Sequence, residues 1–264
     1  MRAPFQEGSF PSPVKYGYIN VGRVTRGSDD LLGRNVFCLY PHQTRYVVPV
    51  QAATVIPDAV PAERAVLAAN LETAVNGIWD ASPQAGDRIA IVGAGAVGCL
   101  VAWLAAGQRG SQVELIDIDP HKAAVASALG VSFLAPEQAT RDADLVIDAS
   151  GTADGLRLAV ELGGFEAKIV VMSWFGTESV ALPLGEAFHS KRLQLVSSQV
   201  GWIANKQRGR WDYARRMGLV MHLLENAELD ALITSESPFE ELPQLMSKLS
   251  AGGAGSLCHR IAYR

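Results

Sequence analysis

The chain has few cysteines, little excess charge of either sign and no apolar segment at its start. Its 3 cysteines, Cys38, Cys99 and Cys258, are far apart and form no C-x-x-C pair. This argues against a disulfide framework and a structural zinc knuckle, and is typical of a reducing cytoplasm. The formal net charge is −4 and the basic residues are scattered, so no nucleic-acid partner is expected. The start, MRAPFQEGSFPSP, lacks the apolar core of a signal peptide.

The chain nevertheless has enough length and apolar surface for a sizeable core. Its 264 residues, 48% hydrophobic and 19% charged, allow one large or two modest domains. The run 89–106 carries no charge and is barely long enough to span a bilayer. Its glycines, however, cluster at Gly93, Gly95 and Gly98, between a strand-like part and a helix-like part. We therefore predict no membrane span.

The glycine cluster has the surroundings of a phosphate-binding turn. Gly93, Gly95 and Gly98 follow the β-rich run RIAIVG and begin a helix, after which the strand QVELIDID reaches Asp117. This order of strand, glycine turn, helix, strand and acid is typical of dinucleotide-binding domains. The first glycine allows the turn, the second leaves room for a pyrophosphate, and the third lets the helix pack on the strand. The N–H groups and dipole at the helix N-terminus attract the anion.

Asp117 indicates which dinucleotide is bound. A carboxylate at the end of the second strand accepts hydrogen bonds from a ribose 2′-hydroxyl and repels a 2′-phosphate. The residues that follow, Ile118, Asp119 and Pro120, include no arginine that would bind this phosphate. NAD is therefore favoured over NADP. Asp119 and Pro120 are better explained as the cap and first turn of a helix.

The middle of the chain alternates strands and helices. After the fingerprint come a helix, HKAAVASALG, and a short strand, VSFLAP. Three buried strands then end in Gly or Ser: ADLVIDASG, KIVVMSWFG and RLQLVSSQVG. This predicts an α/β fold, a Rossmann doubly wound parallel sheet over residues 75–218, with ligand at the strand carboxyl ends.

The flanks have a different character. Three short β-like runs precede the sheet, KYGYINVGRV, GRNVFCL and TRYVVPV, and a helix, VPAERAVLAANLETAVNGIWDA, leads into it. The sheet is followed by two helical runs, WDYARRMGLVMHLLENAEL and FEELPQLMSKLSAG, and by a final strand, SLCHRIAY. We expect residues 1–74 and 219–264 to fold together as a second, β-rich domain.

Together these segments resemble the medium-chain dehydrogenase/reductase superfamily, in its zinc alcohol dehydrogenase-like branch. Residues 17–24 match the family's G-H-E-x-x-G-x-V segment, residues 33–36 match G-D-x-V, and residues 232–252 match its C-terminal segment. Thr73 falls at the threonine that borders the nicotinamide. With a tyrosine, Tyr18, in the G-H-E segment, the chain resembles the bacteriochlorophyllide dehydrogenase subgroup. The resemblance implies that the flanks form a partial GroES-like catalytic domain.

The zinc ligands of this branch are missing from the matched positions. The family's histidine ligand aligns with Tyr18, the neighbouring glutamate with Ile19, and a further ligand with Ala69. Catalytic zinc needs three N, S or O ligands, so we predict no metal; Glu72 is the local substitute and would hold zinc poorly alone. The family's first cysteine ligand would precede Met1. The chain is thus expected to be a fragment, to have a miscalled start codon, or to cover the gap by oligomerising.

Two residues are candidates for proton transfer. Tyr18 would lie where the zinc ligand faces the reacting carbon, and its phenol could polarise a carbonyl; the alternative is a half-buried tyrosine that fills the vacated cavity. His42 lies in a loop that approaches substrate in the family and could act as acid or base; the alternative is a surface histidine. His189 and His222 are expected to be structural.

The cofactor-binding candidates come from the fingerprint, the strand ends and the resemblance. Ser173, Trp174, Ser198 and Gln199 are expected to contact the nicotinamide amide through their main chain. Lys122 is expected near the adenosine ribose, or else is a solvated helix charge. The full predicted set is Thr73, Gly93, Gly95, Ala96, Val97, Gly98, Asp117, Ile118, Lys122, Ser150, Gly151, Ser173, Trp174, Ser198, Gln199 and Arg260, with no metal ligand.

The resulting hypothesis is an NAD(H)-dependent oxidoreductase that transfers hydride between nicotinamide and an alcohol or carbonyl substrate without zinc. We expect a cytoplasmic homo-oligomer, a dimer or tetramer, with a small-molecule substrate. One alternative is a zinc-free quinone or enone reductase that prefers NADPH. The other, from a different class, is a nucleotide-binding pseudoenzyme or sensor.

Overall fold

A computed structural model describes residues 3–9, 13–250 and 255–263, and the chain divides into two compact units. The central unit is the continuous stretch Asn70–Tyr213, and the flanking unit contains the described residues on both sides of it. The predicted boundaries at Val75 and Gly218 lie a few residues C-terminal to those of the central unit.

The N-terminal part of the flanking unit contains a small antiparallel sheet. Its strands lie in the order β1 (Asn20–Arg23), β2 (Asn35–Cys38) and β3 (Thr54–Val55). The run 44–50, predicted as β-like, forms no strand. Tyr46 instead stacks on Tyr40, with ring centroids 3.9 Å apart, and donates its hydroxyl to Asn20 Oδ1 at 3.1 Å. This side-chain packing overrides the local β propensity.

The central unit is a six-stranded sheet with helices between its strands. The spatial order is β6-β5-β4-β7-β8-β9 and every neighbouring pair is parallel. In chain order the elements are α1 (Ala68–Ala81), β4 (Arg88–Val92), α2 (Ala96–Ala106), β5 (Gln112–Ile116), α3 (Ala123–Ala128), β6 (Ser132–Leu134), β7 (Ala143–Asp148), α4 (Ala153–Leu162), β8 (Gly163–Val171), α5 (Ala187–Ser190) and β9 (Gln194–Ser197). The predicted Rossmann sheet is therefore confirmed.

The strand order reverses between β4 and β7, and this reversal defines where a ligand binds. The chain runs from β4 outward to β6 on one side, then returns to β7 on the other side. Val92 lies opposite Asp148, and Asp148 lies opposite Val171, so the carboxyl ends of β4, β7 and β8 are level. In open α/β sheets the crevice at such a switch point is the usual ligand site.

The strands of this sheet are apolar because helices cover them. Burial removes these side chains from water, and each fully buried Val, Leu or Ile contributes about 1.5–3 kcal/mol. The cluster between the sheet and α4 includes Ala90, Val92, Ile116, Val146, Leu156, Ala159, Val160 and Ile169. This core holds the carboxyl ends of the strands in place.

The C-terminal part of the flanking unit contains α6 (Tyr213–Leu223), β10 (Ile233–Pro238), α7 (Leu242–Ser250) and β11 (Cys258–Ala262). Strands β10 and β11 pair in parallel. Buried Arg64 joins this part to the N-terminal part through two 2.7 Å bonds to the Asp230 carboxylate and a 3.1 Å bond to the Leu224 carbonyl. Across the described ranges, no helix has the length and apolar character required to cross a membrane.

Candidate functional site

Two of the three fingerprint glycines are required by close packing. Gly93 has φ +102°, and a Cβ there would lie 2.6 Å from the Ser150 Cα. A Cβ on Gly98 would lie 1.8 Å from the Gly93 carbonyl oxygen. Both distances are too short for non-bonded atoms, so Gly93 is required for the turn and Gly98 for the approach of α2 to the sheet.

Gly95 is different, because nothing packs against it. It is the N-cap of α2 with φ −74° and ψ 177°, a conformation open to any residue, and it makes no side-chain cap. A Cβ at Gly95 would meet no atom within 4 Å. The N–H groups in the first turn of a helix lack intrahelical partners and attract anions. The turn thus leaves open space beside a set of anion-binding donors.

Asp117 lies just beyond the end of β5 and its side chain is 7% exposed. Its Oδ2 accepts hydrogen bonds from the Ala94 N–H at 2.7 Å and from Lys122 Nζ at 2.9 Å, and its Oδ1 accepts from the Asp119 N–H at 2.9 Å. Burial raises the pKa of this carboxyl, but the three hydrogen bonds outweigh burial and lower the pKa overall. A carboxylate has about four acceptor positions, so the ionised Asp117 can still accept one hydroxyl.

The residues next to Asp117 form the rest of this corner. Lys122, predicted as a ribose contact or a solvated charge, pairs with the Asp117 carboxylate. Ile118 is 87% exposed, which is unusual for a large apolar side chain. Asp119 accepts a 3.0 Å hydrogen bond from the His121 N–H and begins a 3-10 turn with Pro120, so its role as a cap is confirmed.

The loops after β7 and β8 lie beside the glycine turn. Ser173 Oγ accepts a hydrogen bond from the Gly151 N–H at 2.9 Å, which joins the two loops. Trp174, the next residue, is 69% exposed. The structure thus brings together Gly93, Ser150, Gly151 and Ser173 at one edge of the sheet, as the sequence predicts for the ends of parallel strands.

Some of the cofactor contacts predicted after β9 already make hydrogen bonds within the protein. The Ser198 N–H donates to the Val171 carbonyl at 2.9 Å, and its hydroxyl donates to Asp80 Oδ2 at 2.7 Å. Gln199 Oε1 accepts from the Gly201 N–H at 2.7 Å. Thr73 is half-buried on α1. These bonds leave Ser198 without a main-chain N–H for a ligand.

In the flanking unit, the loop that carries His42 packs against the segment that carries Tyr18. The His42 N–H donates to the Tyr16 carbonyl at 3.0 Å, and a Cβ on Gly17 would lie 2.6 Å from the His42 ring. His42 Nδ1 lies 2.8 Å from the Tyr263 hydroxyl. Burial lowers the pKa of His42 and raises the pKa of Tyr263 to about 12. Tyr18 is 48% exposed.

Tyr263 is a residue that sequence reasoning missed as a site residue, since it only ends the last predicted strand, SLCHRIAY, and belongs to no motif. It also stacks on Phe239, with ring centroids 4.8 Å apart. Arg260, one of the predicted cofactor-binding residues, forms an ion pair with Glu236 in the flanking unit.

The residues at the positions of the zinc ligands do not suit zinc. By the resemblance these positions hold Tyr18, Ile19 and Ala69, and the Ala69 methyl is buried. In the described part of the chain, no group of three or more His, Cys, Asp or Glu residues is arranged to hold a metal. Phenol and alkyl groups cannot replace the N, S or carboxylate ligands of a catalytic zinc site, so we derive no chemistry through a metal.

Several curated proteins are similar to this chain, whereas no protein-family model matches it. A zinc-type alcohol dehydrogenase-like protein of Haemophilus influenzae, itself uncharacterized, is 27% identical over 216 residues, or 76% of this chain and 59% of that protein. D-guloside 3-dehydrogenase of Escherichia coli is 26% identical over 171 residues, or 60% of this chain and 48% of that protein. The chain therefore spans about half the length of these relatives.

Solved structures share the fold. Galactitol-1-phosphate dehydrogenase from Escherichia coli has a TM-score of 0.78 at 18% identity, over 94% of this chain and 84% of that one. A short chain alcohol dehydrogenase from Escherichia coli CFT073, complexed with NADH, has a TM-score of 0.71 at 19% identity, over 93% and 81%. A neighbour from Sinorhizobium meliloti 1021, bound to NADP, has a TM-score of 0.66 at 20% identity, over 81% and 64%.

The central unit has a Rossmann sheet, and the fold of the chain is shared with solved dehydrogenases that combine Rossmann and GroES-like domains. The names of the curated relatives and the shared fold agree with the resemblance that the sequence shows. The chain is similar in sequence to a zinc-type alcohol dehydrogenase-like protein and shares the fold of medium-chain dehydrogenases.

Proposed function

We propose that this protein is an NAD(H)-dependent oxidoreductase of the medium-chain type, which interconverts a hydroxyl and a carbonyl group without catalytic zinc. The observation that carries the proposal is the open space beside Gly95, next to the first turn of α2. A dinucleotide pyrophosphate suits this space, because the N–H donors there are unpaired within the helix and no side chain at Gly95 blocks close approach.

The corner around Asp117 supports NAD as the preferred dinucleotide. Its ionised carboxylate has one acceptor position left for a ribose hydroxyl and would repel a 2′-phosphate. Lys122 offsets part of this repulsion, but its Nζ is already bonded to Asp117 Oδ2. The exposed Ile118 side chain offers an apolar surface for the adenine ring.

When bound, the nicotinamide supplies hydride transfer, and the protein must move the proton of the substrate hydroxyl. We assign the proton transfer to Tyr18 or to the His42 side chain, whose Nδ1 is 2.8 Å from the Tyr263 hydroxyl. Burial lowers the pKa of His42, so its imidazole is neutral at neutral pH and can accept a proton. Tyr18 is exposed enough for contact with a substrate.

The names of the similar proteins support a substrate with several hydroxyl groups. D-guloside 3-dehydrogenase and galactitol-1-phosphate dehydrogenase both act on such compounds by name. We therefore propose a sugar or polyol as the substrate. We also propose that the protein is a cytoplasmic homo-oligomer, a dimer or tetramer, without nucleic-acid or membrane partners.

Turnover with a panel of sugars, polyols and their ketones tests this function. The protein is incubated with NAD or NADH and each compound, and the absorbance of the reduced nicotinamide is followed. We expect oxidation or reduction of at least one polyhydroxylated compound, and unchanged rates after treatment with a chelator. NADH binding without turnover on any compound would favour a nucleotide-binding sensor instead.

A further inference from the structure

Asp148, the last residue of β7, carries a buried carboxylate that no predicted role explains. It is fully buried. Of the residues opposite it in the sheet, Val92 belongs to the apolar cluster beneath α4 and Val171 packs against that cluster. Its Oδ1 accepts hydrogen bonds from the Ser150 N–H at 3.1 Å and from the Ser150 hydroxyl at 2.6 Å. Its Oδ2 has no hydrogen-bond partner among the described residues.

A buried carboxylate with one unsatisfied oxygen costs free energy. Such groups in native structures call for a specific explanation. The two bonds to Ser150 are the interaction that the carboxylate provides.

Ser150 also connects Asp148 to the N-terminus of α4 through hydrogen bonds. Its Oγ accepts a 3.2 Å hydrogen bond from the Thr152 N–H, and Thr152 Oγ1 in turn accepts a 3.0 Å bond from the Gly155 N–H as the N-cap of α4. A Cβ on Gly155 would lie 2.1 Å from the Ser150 Oγ, so the hydroxyl has little freedom to move. The Ser150 side chain is therefore locked between β7 and α4.

The backbone of the same serine forms the floor of the glycine turn. The positions closest to a Cβ on Gly93 are the Ser150 Cα at 2.6 Å and the Ser150 nitrogen at 2.7 Å. The preceding Ala149 N–H donates to the Val92 carbonyl at 2.8 Å, which joins the β7 loop to the end of β4. A shift of Ser150 would therefore shift the turn at Gly93.

We propose that Asp148 is a positioning residue for the cofactor, which fixes Ser150 and through it the phosphate-binding turn at Gly93. This inference rests on the proposed function, since it assumes that the turn binds a dinucleotide. The carboxylate touches no substrate or cofactor atom in this scheme. It acts through two accepted hydrogen bonds, and an amide oxygen at the same place can accept both of them.

The test compares NADH dissociation constants of the unaltered protein with those of Asp148→Ala, Asp148→Asn and Ser150→Ala by calorimetry. We expect a rise of roughly tenfold or more for Asp148→Ala, because a displacement on the ångström scale disrupts a preorganised site. Asp148→Asn should stay within about threefold, since its amide oxygen keeps the bonds to Ser150. Asp154→Ala is the matched control, because its exposed carboxylate forms an ion pair with Arg157 on the same helix and lies outside the Asp148–Ser150 contacts.

If Asp148 acts only through general stability, Asp148→Ala has a lower melting temperature and Asp148→Asn does not restore NADH affinity. Rescue therefore separates positioning from a structural role. If Asp148→Ala does not fold, Ser150→Ala decides, and an unchanged NADH affinity in that variant overturns the inference. NADH binding by the unaltered protein with equal affinity in all variants overturns this inference alone. Absence of NADH binding by the unaltered protein overturns the proposed function and this inference with it.

Discussion

Substitution of Gly95 by valine should remove dinucleotide binding while leaving the fold in place. The backbone at Gly95 is extended with φ −74°, and a Cβ there meets no atom within 4 Å, so valine causes no clash within the protein. The cost in stability is the weaker N-cap preference of valine, about 1 kcal/mol. The branched side chain instead fills the space assigned to the pyrophosphate.

The expected loss of affinity follows from the hydrogen bonds that the pyrophosphate would no longer make. A hydrogen bond to a charged group contributes about 1.5–3 kcal/mol, and each 1.4 kcal/mol corresponds to a factor of about ten in affinity. The loss of one such bond raises the dissociation constant by at least about tenfold. The loss of two raises it by at least about a hundredfold.

Gly98→Ala is the matched control, because it should lower the stability of the fold, which Gly95→Val should largely preserve. Its Cβ would lie 1.8 Å from the Gly93 carbonyl oxygen, so either α2 or the turn must move. We expect a lower free energy of unfolding by about 1–3 kcal/mol, as for other overpacked positions. Urea denaturation and calorimetry with NADH are measured on both variants. A folded Gly95→Val protein that binds NADH as tightly as the parent would refute the assignment of the phosphate site.

Three further predictions concern Asp117 and Tyr18. Asp117→Asn should reduce the preference for NAD over NADP by tenfold or more, because like charges at about 4 Å repel by about 4 kcal/mol at an effective dielectric of 20 before relaxation; equal preference in parent and variant, measured by calorimetry, would contradict this. Since the folded-state pKa of Asp117 lies below its unfolded value of about 3.9, its stabilisation is present above that pH and is lost as pH falls through the folded-state pKa. Melting temperatures of the parent and Asp117→Asn should therefore converge in acid, and a constant difference would argue against this linkage. Elemental analysis should find far less than one zinc per chain, and stoichiometric zinc would overturn the metal-free mechanism. If Tyr18 transfers the proton, Tyr18→Phe should lower kcat by roughly 10²–10⁴-fold.

The glycine turn and the parallel sheet could be predicted because their signals are local. Gly93, Gly95 and Gly98 have spacing set by backbone geometry, and strands buried on both faces are uniformly apolar. The cap at Asp119 follows from the same local chemistry. The run 44–50 was predicted wrongly as a β-like segment, because the stacking of Tyr46 on Tyr40 is a tertiary contact that strand propensity does not encode.

The side-chain partners within the site could not be predicted, because the tertiary fold brings them together. His42 and Tyr263 are 221 residues apart in sequence, and nothing near either residue indicates the other. Asp148 looked like the end of one more buried strand, and its bonds to Ser150 depend on the path of the loop after β7. Lys122 and Asp117 were each predicted near the ribose, but their ion pair depends on the direction of the turn between them.

Calorimetric titration of the unaltered protein with NADH and with NADPH tests the central claim most directly. We predict one site per chain, with NADH bound at least about tenfold more tightly than NADPH, because the lowered pKa keeps Asp117 ionised and its negative charge would repel a 2′-phosphate. Equal affinity for the two dinucleotides would contradict the role assigned to Asp117. Absence of binding by either dinucleotide would contradict the proposed function as a whole.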